Sequence, residues 1–205
     1  MGPEGKRPRY GQAYWDLGAP RDMAEIDRFE LHPGDPAPDF SLPGVDGRTW
    51  SLADLSGAPA FVVVFWCNHC PYVQAWEART IALARRYEGQ GVKFVLINAN
   101  DDVTYPDDRF ERMVARATEK GYPFPYLRDD SQEVAHRYGA RVTPHPMVFD
   151  GAGRLRYQGR IDDQYDHPEA VRERYLQDAI DAVLAGRPVT PSERPVLGCS
   201  VKWRV

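Results

Sequence analysis

Residues 60–71 read Ala60-Phe61-Val62-Val63-Val64-Phe65-Trp66-Cys67-Asn68-His69-Cys70-Pro71. An unbroken apolar run passes directly into two cysteines with two residues between them, and then into a proline. The run Ala60 to Trp66 has no polar face, the pattern of a strand buried on both sides within a parallel sheet. Pro71 suits the first turn of a helix, where its missing N–H leaves nothing unsatisfied. Val73, Trp76, Leu83 and Tyr87 then recur at helical spacing until Gly89. The spacing therefore predicts a strand, a Cys-x-x-Cys corner and a helix over about 68–88. A thiol at a helix start meets unpaired amide hydrogens and the positive end of the helix dipole. Both favour the thiolate, the reactive form of cysteine. Cys67 is expected as an exposed nucleophile and Cys70, one turn on, as the thiol that resolves its mixed disulfide.

Outward from this corner, Asp35 to Leu55 reads as a hairpin turning at Asp46-Gly47, with Phe40 and Leu42 facing inward. Val92 to Ile97 reads as a second buried strand. A helix follows from Pro106-Asp107-Asp108 to Gly121, with Phe110, Met113, Val114 and Ala117 inward. Phe124 to Leu127 is a short strand broken by Pro125. Asp130 and Glu133 suggest a capping box for a short helix ending at Gly139. Residues 146–149 and 155–158 form a second hairpin, and a last helix starts near Pro168 and buries Val171, Tyr175, Ala179, Ile180 and Val183. This order implies an α/β fold: a mixed central sheet, parallel at its centre, between helices on both faces, with an N-terminal β-hairpin. In such sheets the active crevice lies at the carboxyl ends of the strands, where Cys67 sits. Residues 1–33 read as an irregular N-terminal arm, 34–186 as the domain, and 187–205 as a C-terminal tail packing on it.

The 205 residues suit one domain with terminal additions. A net charge of −4 without a basic stripe argues against nucleic acid as a partner. No apolar run is long enough to span a bilayer, so no membrane is expected either. Residues 1–20 lack the apolar core of a secretory signal, which points to the cytoplasm. Three cysteines are too few for a disulfide scaffold in a chain of this length, so the close pair reads as catalytic or metal-binding. A zinc knuckle would need two further ligands from Cys199 and scattered histidines. Covalent haem attachment requires His after the second cysteine, and Pro71 stands there.

Four stretches together resemble the thioredoxin-like superfamily, in its redoxin (AhpC/TSA-like) branch. These are Gly34 to Leu42 with Asp46-Gly47 and Leu52-x-x-Leu55, Phe65 to Pro71, Thr143-Pro144, and Gly198-Cys199-Ser200-Val201-Lys202-Trp203. The last is similar to the C-terminal signature of a peroxiredoxin-like subfamily that carries Cys-Asn-His-Cys-Pro. The resemblance implies a thioredoxin fold in three α/β/α layers, with a redoxin-type insertion around 99–123. It also implies a cis-proline loop at Thr143-Pro144, whose backbone edge would receive a substrate strand.

Other residues are candidates around the pair. His69 can stabilise a Cys67 thiolate by charge or hydrogen bond, or simply be exposed. Asn68 and Trp66 flank the nucleophile and are expected to tune it, Trp66 and Tyr72 also as the rim of a peptide groove and Trp76 as core. Glu77 reads as a proton carrier or an exposed ion-pairing residue, and His145 as crevice-lining or exposed. The strand before Cys67 offers no acid, which leaves the proton relay undefined. Cys199 reads either as a third redox cysteine or as a buried structural thiol under Trp203.

Three functions compete. The first is thiol–disulfide exchange on protein disulfides or dithiols, served by a thiol reductant system and needing no cofactor beyond the Cys67–Cys70 disulfide. The second is a thiol-dependent peroxidase, although Pro59 lies too far upstream for the peroxiredoxin motif and Val64 occupies its hydroxyl position. Arg141 could approach the site in that case. The third is Cu(I) binding by Cys67, Cys70 and a histidine. The related copper-delivery proteins carry three residues between their cysteines, and this chain carries two.

Overall fold

The computed structural model describes residues 23–204. At its centre lies β4 (Ala60–Phe65), whose six residues are all buried. Its alternation sorts side chains between two apolar cores. Ala60, Val62 and Val64 join one core, and Phe61, Val63 and Phe65 the other. Burial of each valine contributes about 1.5–3 kcal/mol. β4 pairs in parallel with β5 (Lys93–Asn98), which pairs in parallel with β6 (Tyr126–Arg128). On its other side β4 runs antiparallel to β8 (His145–Asp150), which pairs with β9 (Leu155–Gln158). The strand order is β6-β5-β4-β8-β9, a mixed sheet with a parallel centre and an antiparallel last hairpin, as the thioredoxin fold requires.

One face is covered by α1 (Pro71–Glu88), α2 (Phe110–Lys120) and α4 (Tyr175–Leu184), which contribute Trp76, Met113 and Ile180 to the first core. The opposite face carries the hairpin β2 (Ser41–Pro43) and β3 (Thr49–Ser51), together with α3 (Glu133–Arg137). Phe40, Leu42, Val134 and Tyr138 pack there against the second core. No helix among the described residues is long and apolar enough to cross a membrane.

Several element boundaries differ from expectation. The last helix begins at Tyr175, seven residues later than Pro168, which opens only a short 3-10 turn at Pro168–Ala170. Val171 is therefore outside the helix, and Leu176 and Ala182 are buried instead. The capping box at Asp130 does not form. Asp130 pairs with Arg204, and it is Asp129 that accepts the Ala135 N–H.

The largest difference lies at the chain ends. Residues 187–205 do not merely rest on the domain, because Val196–Ser200 forms a strand, β10. β10 lies between β1 (Met23–Ile26) and β7 (Val142–Thr143) in a second, antiparallel sheet of order β1-β10-β7. Part of the N-terminal arm is thus regular strand, while residues 1–22 lie outside the described residues.

Candidate active site

β4 ends at Phe65, and Trp66 prolongs its ladder by donating its N–H to Ile97 O. Helix α1 begins at Pro71, three residues later than expected, with Cys70 as its N-cap. The cysteine at the helix start is therefore Cys70, which the Val73 amide reaches, and not Cys67, three residues further back. Cys67 is also sealed from solvent, as are Cys70 and, nearly so, Cys199. The expected exposed nucleophile is a buried one. All three cysteines are free thiols.

The surroundings of Cys67 are polar. Its Sγ lies 3.1 Å from Thr143 Oγ1. A His69 ring nitrogen, Cys67 Sγ and an Asp108 carboxylate oxygen lie within 4.8 Å of one another. Asp108 is fully buried and every contact satisfies it. Its Oδ1 accepts from the Asn68 N–H (2.6 Å) and Asn98 Nδ2 (3.1 Å), and its Oδ2 from Asn100 Nδ2 (2.9 Å) and His69 Nδ1 (2.5 Å). Burial opposes its ionisation, but His69, Asn100 and the Asn68 amide hold the carboxyl below its ordinary value. The hydrogen bond to Asp108 in turn raises the pKa of His69, with burial working against it. His69 stacks on Tyr105, and Asn68 is fixed by bonds to Asp107 O and from Tyr126 OH. Asp108 holds the His69 ring close to Cys67 Sγ, and thiol, imidazole and carboxylate are the groups from which a base-activated thiol is built. The same three side chains are the one group of donors with metal-ligand spacing among the described residues. Four hydrogen-bond donors already occupy the Asp108 oxygens, so a metal would have to displace them.

The surroundings of Cys70 are different. Its Sγ lies 3.2 Å from Thr143 O and 2.8 Å from Cys199 Sγ. Cys199 is carried on β10, directly opposite Thr143. Burial pushes the Cys67 thiol up, and Cys70 and Asp108 add to the effect. Burial acts the same way on Cys70, but the Cys199 and Cys67 thiols and the Val73 amide outweigh it and lower its pKa.

Thr143-Pro144 is a cis peptide. The backbone edge of Thr143, read as the dock for a substrate strand, is paired with β10 of this same chain. Trp66 is buried and not part of a rim; its Nε1 donates to Tyr122 OH. Tyr122 OH in turn donates to Glu77, which is buried and ion-paired with Arg116 at 2.7 Å. Glu77 thus joins α1 to α2 and is not an exposed residue. Tyr72 is buried, and Trp76 is core as expected. Arg141 is half-exposed and pairs with Glu30 at 3.0 Å. Trp203 stacks on His136 and packs against the second core, whereas Cys199 belongs to the first. His145 is buried, with neither ring nitrogen partnered among the described residues, and burial pulls its pKa down to about 4.

Asp108 is the functional residue that sequence reading missed. Pro106-Asp107-Asp108 reads as a helix start, and indeed Pro106–Asp108 is a 3-10 turn. That one of its acids turns inward to a histidine 39 residues earlier leaves no local signal.

The model of the AhpC/TSA family matches residues 33–158, more than half of the chain. The chain belongs to the AhpC/TSA family. It is 29% identical over 129 residues to the thiol-disulfide oxidoreductase ResA of Halalkalibacterium halodurans, a match covering 63% of this chain and 69% of that protein. A crystal structure of an uncharacterized conserved protein from Geobacillus kaustophilus is 41% identical, with a TM-score of 0.83, and covers 92% of this chain and 98% of its own. A hypothetical protein from Sinorhizobium meliloti is 38% identical, with a TM-score of 0.81, covering 86% and 97%. This AhpC/TSA protein is an oxidoreductase of the thiol–disulfide exchange type.

Proposed function

We propose that the chain carries out reversible dithiol–disulfide exchange on protein substrates through Cys67 and Cys70, with the His69–Asp108 pair taking and returning the Cys67 proton. The observation that carries this reading is the cluster of Cys67 Sγ, a His69 ring nitrogen and an Asp108 oxygen within 4.8 Å. The Cys67 thiolate attacks one sulfur of a substrate disulfide, and the other substrate sulfur leaves with the electron pair. Cys70, whose environment favours its thiolate, then attacks the Cys67 sulfur of the mixed disulfide. The substrate leaves as a dithiol and a Cys67–Cys70 disulfide remains, which a thiol reductant system resets. No cofactor beyond that disulfide is invoked. The sparse cysteines support a reducing setting.

A second reading, a thiol-dependent peroxidase with an antioxidant role, is favoured by the Thr143 hydroxyl 3.1 Å from Cys67 Sγ. It supplies, from another element, the hydroxyl that Val64 cannot. The cation of such a site has no counterpart in Arg141, which is engaged with Glu30.

Turnover on insulin disulfides with dithiothreitol, beside peroxide consumption with the same reductant, tests both. Disulfide reduction lost in Cys67→Ser and in Cys70→Ser supports exchange. Peroxide consumption without disulfide reduction overturns it.

A further inference from the structure

We infer that Cys199 is the third member of the redox site and exchanges with the Cys67–Cys70 disulfide by attacking Cys70. The inference rests on the dithiol reading above and assigns to that site an internal partner. Three independent features of the fold place Cys199 there. Its Sγ is 2.8 Å from Cys70 Sγ, about 0.8 Å beyond a covalent S–S bond. Strand register sets Cys199 opposite Thr143, the residue that touches both Cys67 and Cys70. Gly198, beside it, permits the approach: a Cβ at that position would lie 2.2 Å from Thr143 O. Any other residue at 198 would push β10 off the loop, so this strand is fitted to the redox corner to within a methyl group.

β10 also fills the edge at which an outside strand would pair. Cys199 therefore sits against Cys70 in the manner of a substrate cysteine that belongs to the enzyme itself. In the exchange, the Cys199 sulfur attacks Cys70 Sγ of the Cys67–Cys70 disulfide. The Cys70–Cys199 bond forms and the Cys67–Cys70 bond breaks. Cys67 leaves with the bonding electron pair, and the net movement of one proton is from Cys199 to Cys67. The Thr143 hydroxyl stands 3.1 Å from the departing sulfur, in position to hydrogen-bond it. No external oxidant or reductant enters, because one disulfide and one thiol give one disulfide and one thiol. The oxidised enzyme then holds its disulfide on the inner side of the site, and Cys67 is again a thiol.

The test is disulfide mapping of the wild-type protein, oxidised by turnover on insulin, quenched in acid, alkylated with N-ethylmaleimide, digested and fragmented by mass spectrometry. The expected result is a Cys70–Cys199 link with Cys67 alkylated in about a tenth or more of the oxidised molecules. That population corresponds to two disulfides within about 30 mV of each other. Cys199→Ser should lose this species completely while keeping the Cys67–Cys70 disulfide, and circular dichroism shows that the variant is folded. Oxidised wild type with only Cys67–Cys70 linked and Cys199 always alkylated overturns the inference, and so does a Cys67–Cys199 link. Insulin turnover that continues with only Cys67–Cys70 formed sinks the third cysteine alone. The absence of any disulfide together with the absence of turnover sinks the dithiol reading as well.

Discussion

Cys67 and Cys70 are separated by two residues and occupy opposite environments. Cys67 faces oxygen and nitrogen: the Thr143 hydroxyl, His69 and, behind it, a carboxylate held by four donors. Cys70 faces sulfur and backbone: Cys199, the Thr143 carbonyl and the Val73 amide of α1. The polar side can move a proton but has no second thiol beyond the pair. The sulfur side can pass on a disulfide but has no titrating base. The Cys-x-x-Cys spacing alone makes the cysteines equivalent, and the elements packed on either side of it separate their roles.

The most severe way to break this contrast is to remove a sulfur. Cys67→Ser and Cys70→Ser should each lower insulin-reduction turnover about 10³-fold or more, whereas Cys199→Ser, which leaves the Cys67–Cys70 disulfide able to form, should lower it far less. Equal loss in all three would erase the distinction between the two sides. Next in size is Asp108→Asn, which removes the buried charge and leaves its donors facing a neutral amide. A cost of about 3–5 kcal/mol is expected in urea unfolding. The two shifts have opposite signs. The raised His69 pKa gives stability that is present below the unfolded value and is lost as pH rises through the folded one. The lowered Asp108 pKa gives stability that is present above its unfolded value and is lost as pH falls through the folded one. Asp108→Asn should flatten both limbs, and a stability profile identical to wild type would show that the pair is not coupled.

The half-buried His69 and the buried His145 sharpen the same comparison. The carboxylate beside His69 raises its pKa, whereas burial pulls that of His145 down to about 4, with Gln158 opposing. A base with a depressed pKa is protonated first in the unfolded chain, so its burial costs stability progressively as pH falls from about 6.5 to about 4. The full loss is about 3 kcal/mol. His145→Phe should remove that slope, measured by denaturation across this range, and a slope that persists would assign it elsewhere. The smallest effect is expected on the sulfur side. Gly198→Ala should cost about 2 kcal/mol through overpacking and reduce the Cys70–Cys199 link several-fold in disulfide mapping. An unchanged link would show that β10 is not held at this distance by the absence of a Cβ.

What was readable in the sequence was what depends on neighbours along the chain. β4, the Cys-x-x-Cys corner and α1 announce themselves by apolar periodicity and by Pro71, and the two hairpins by alternation and turn residues. The features that the sequence leaves open or hides all join distant residues. Asp108 reaches His69 across 39 positions, and Cys199 reaches Cys70 across 129. β10 shows no alternation because Val196 to Cys199 are all buried. A short run with Gly198 and a preceding proline carries no periodic signal. The exposure of Cys67 was misjudged for the same reason. Position at a helix start is local, but burial is decided by whatever else folds over it.

Val142–Thr143 belongs to the outer sheet, and His145–Asp150 belongs to the central one. Between them stands a single residue, Pro144. The loop that presents a hydroxyl to Cys67 is therefore also a mechanical coupling between two sheets. A tug on β1 or β10 from outside arrives at the nucleophile through Thr143, and the reactivity of that sulfur is in this sense a gauge of how firmly these two strands are seated.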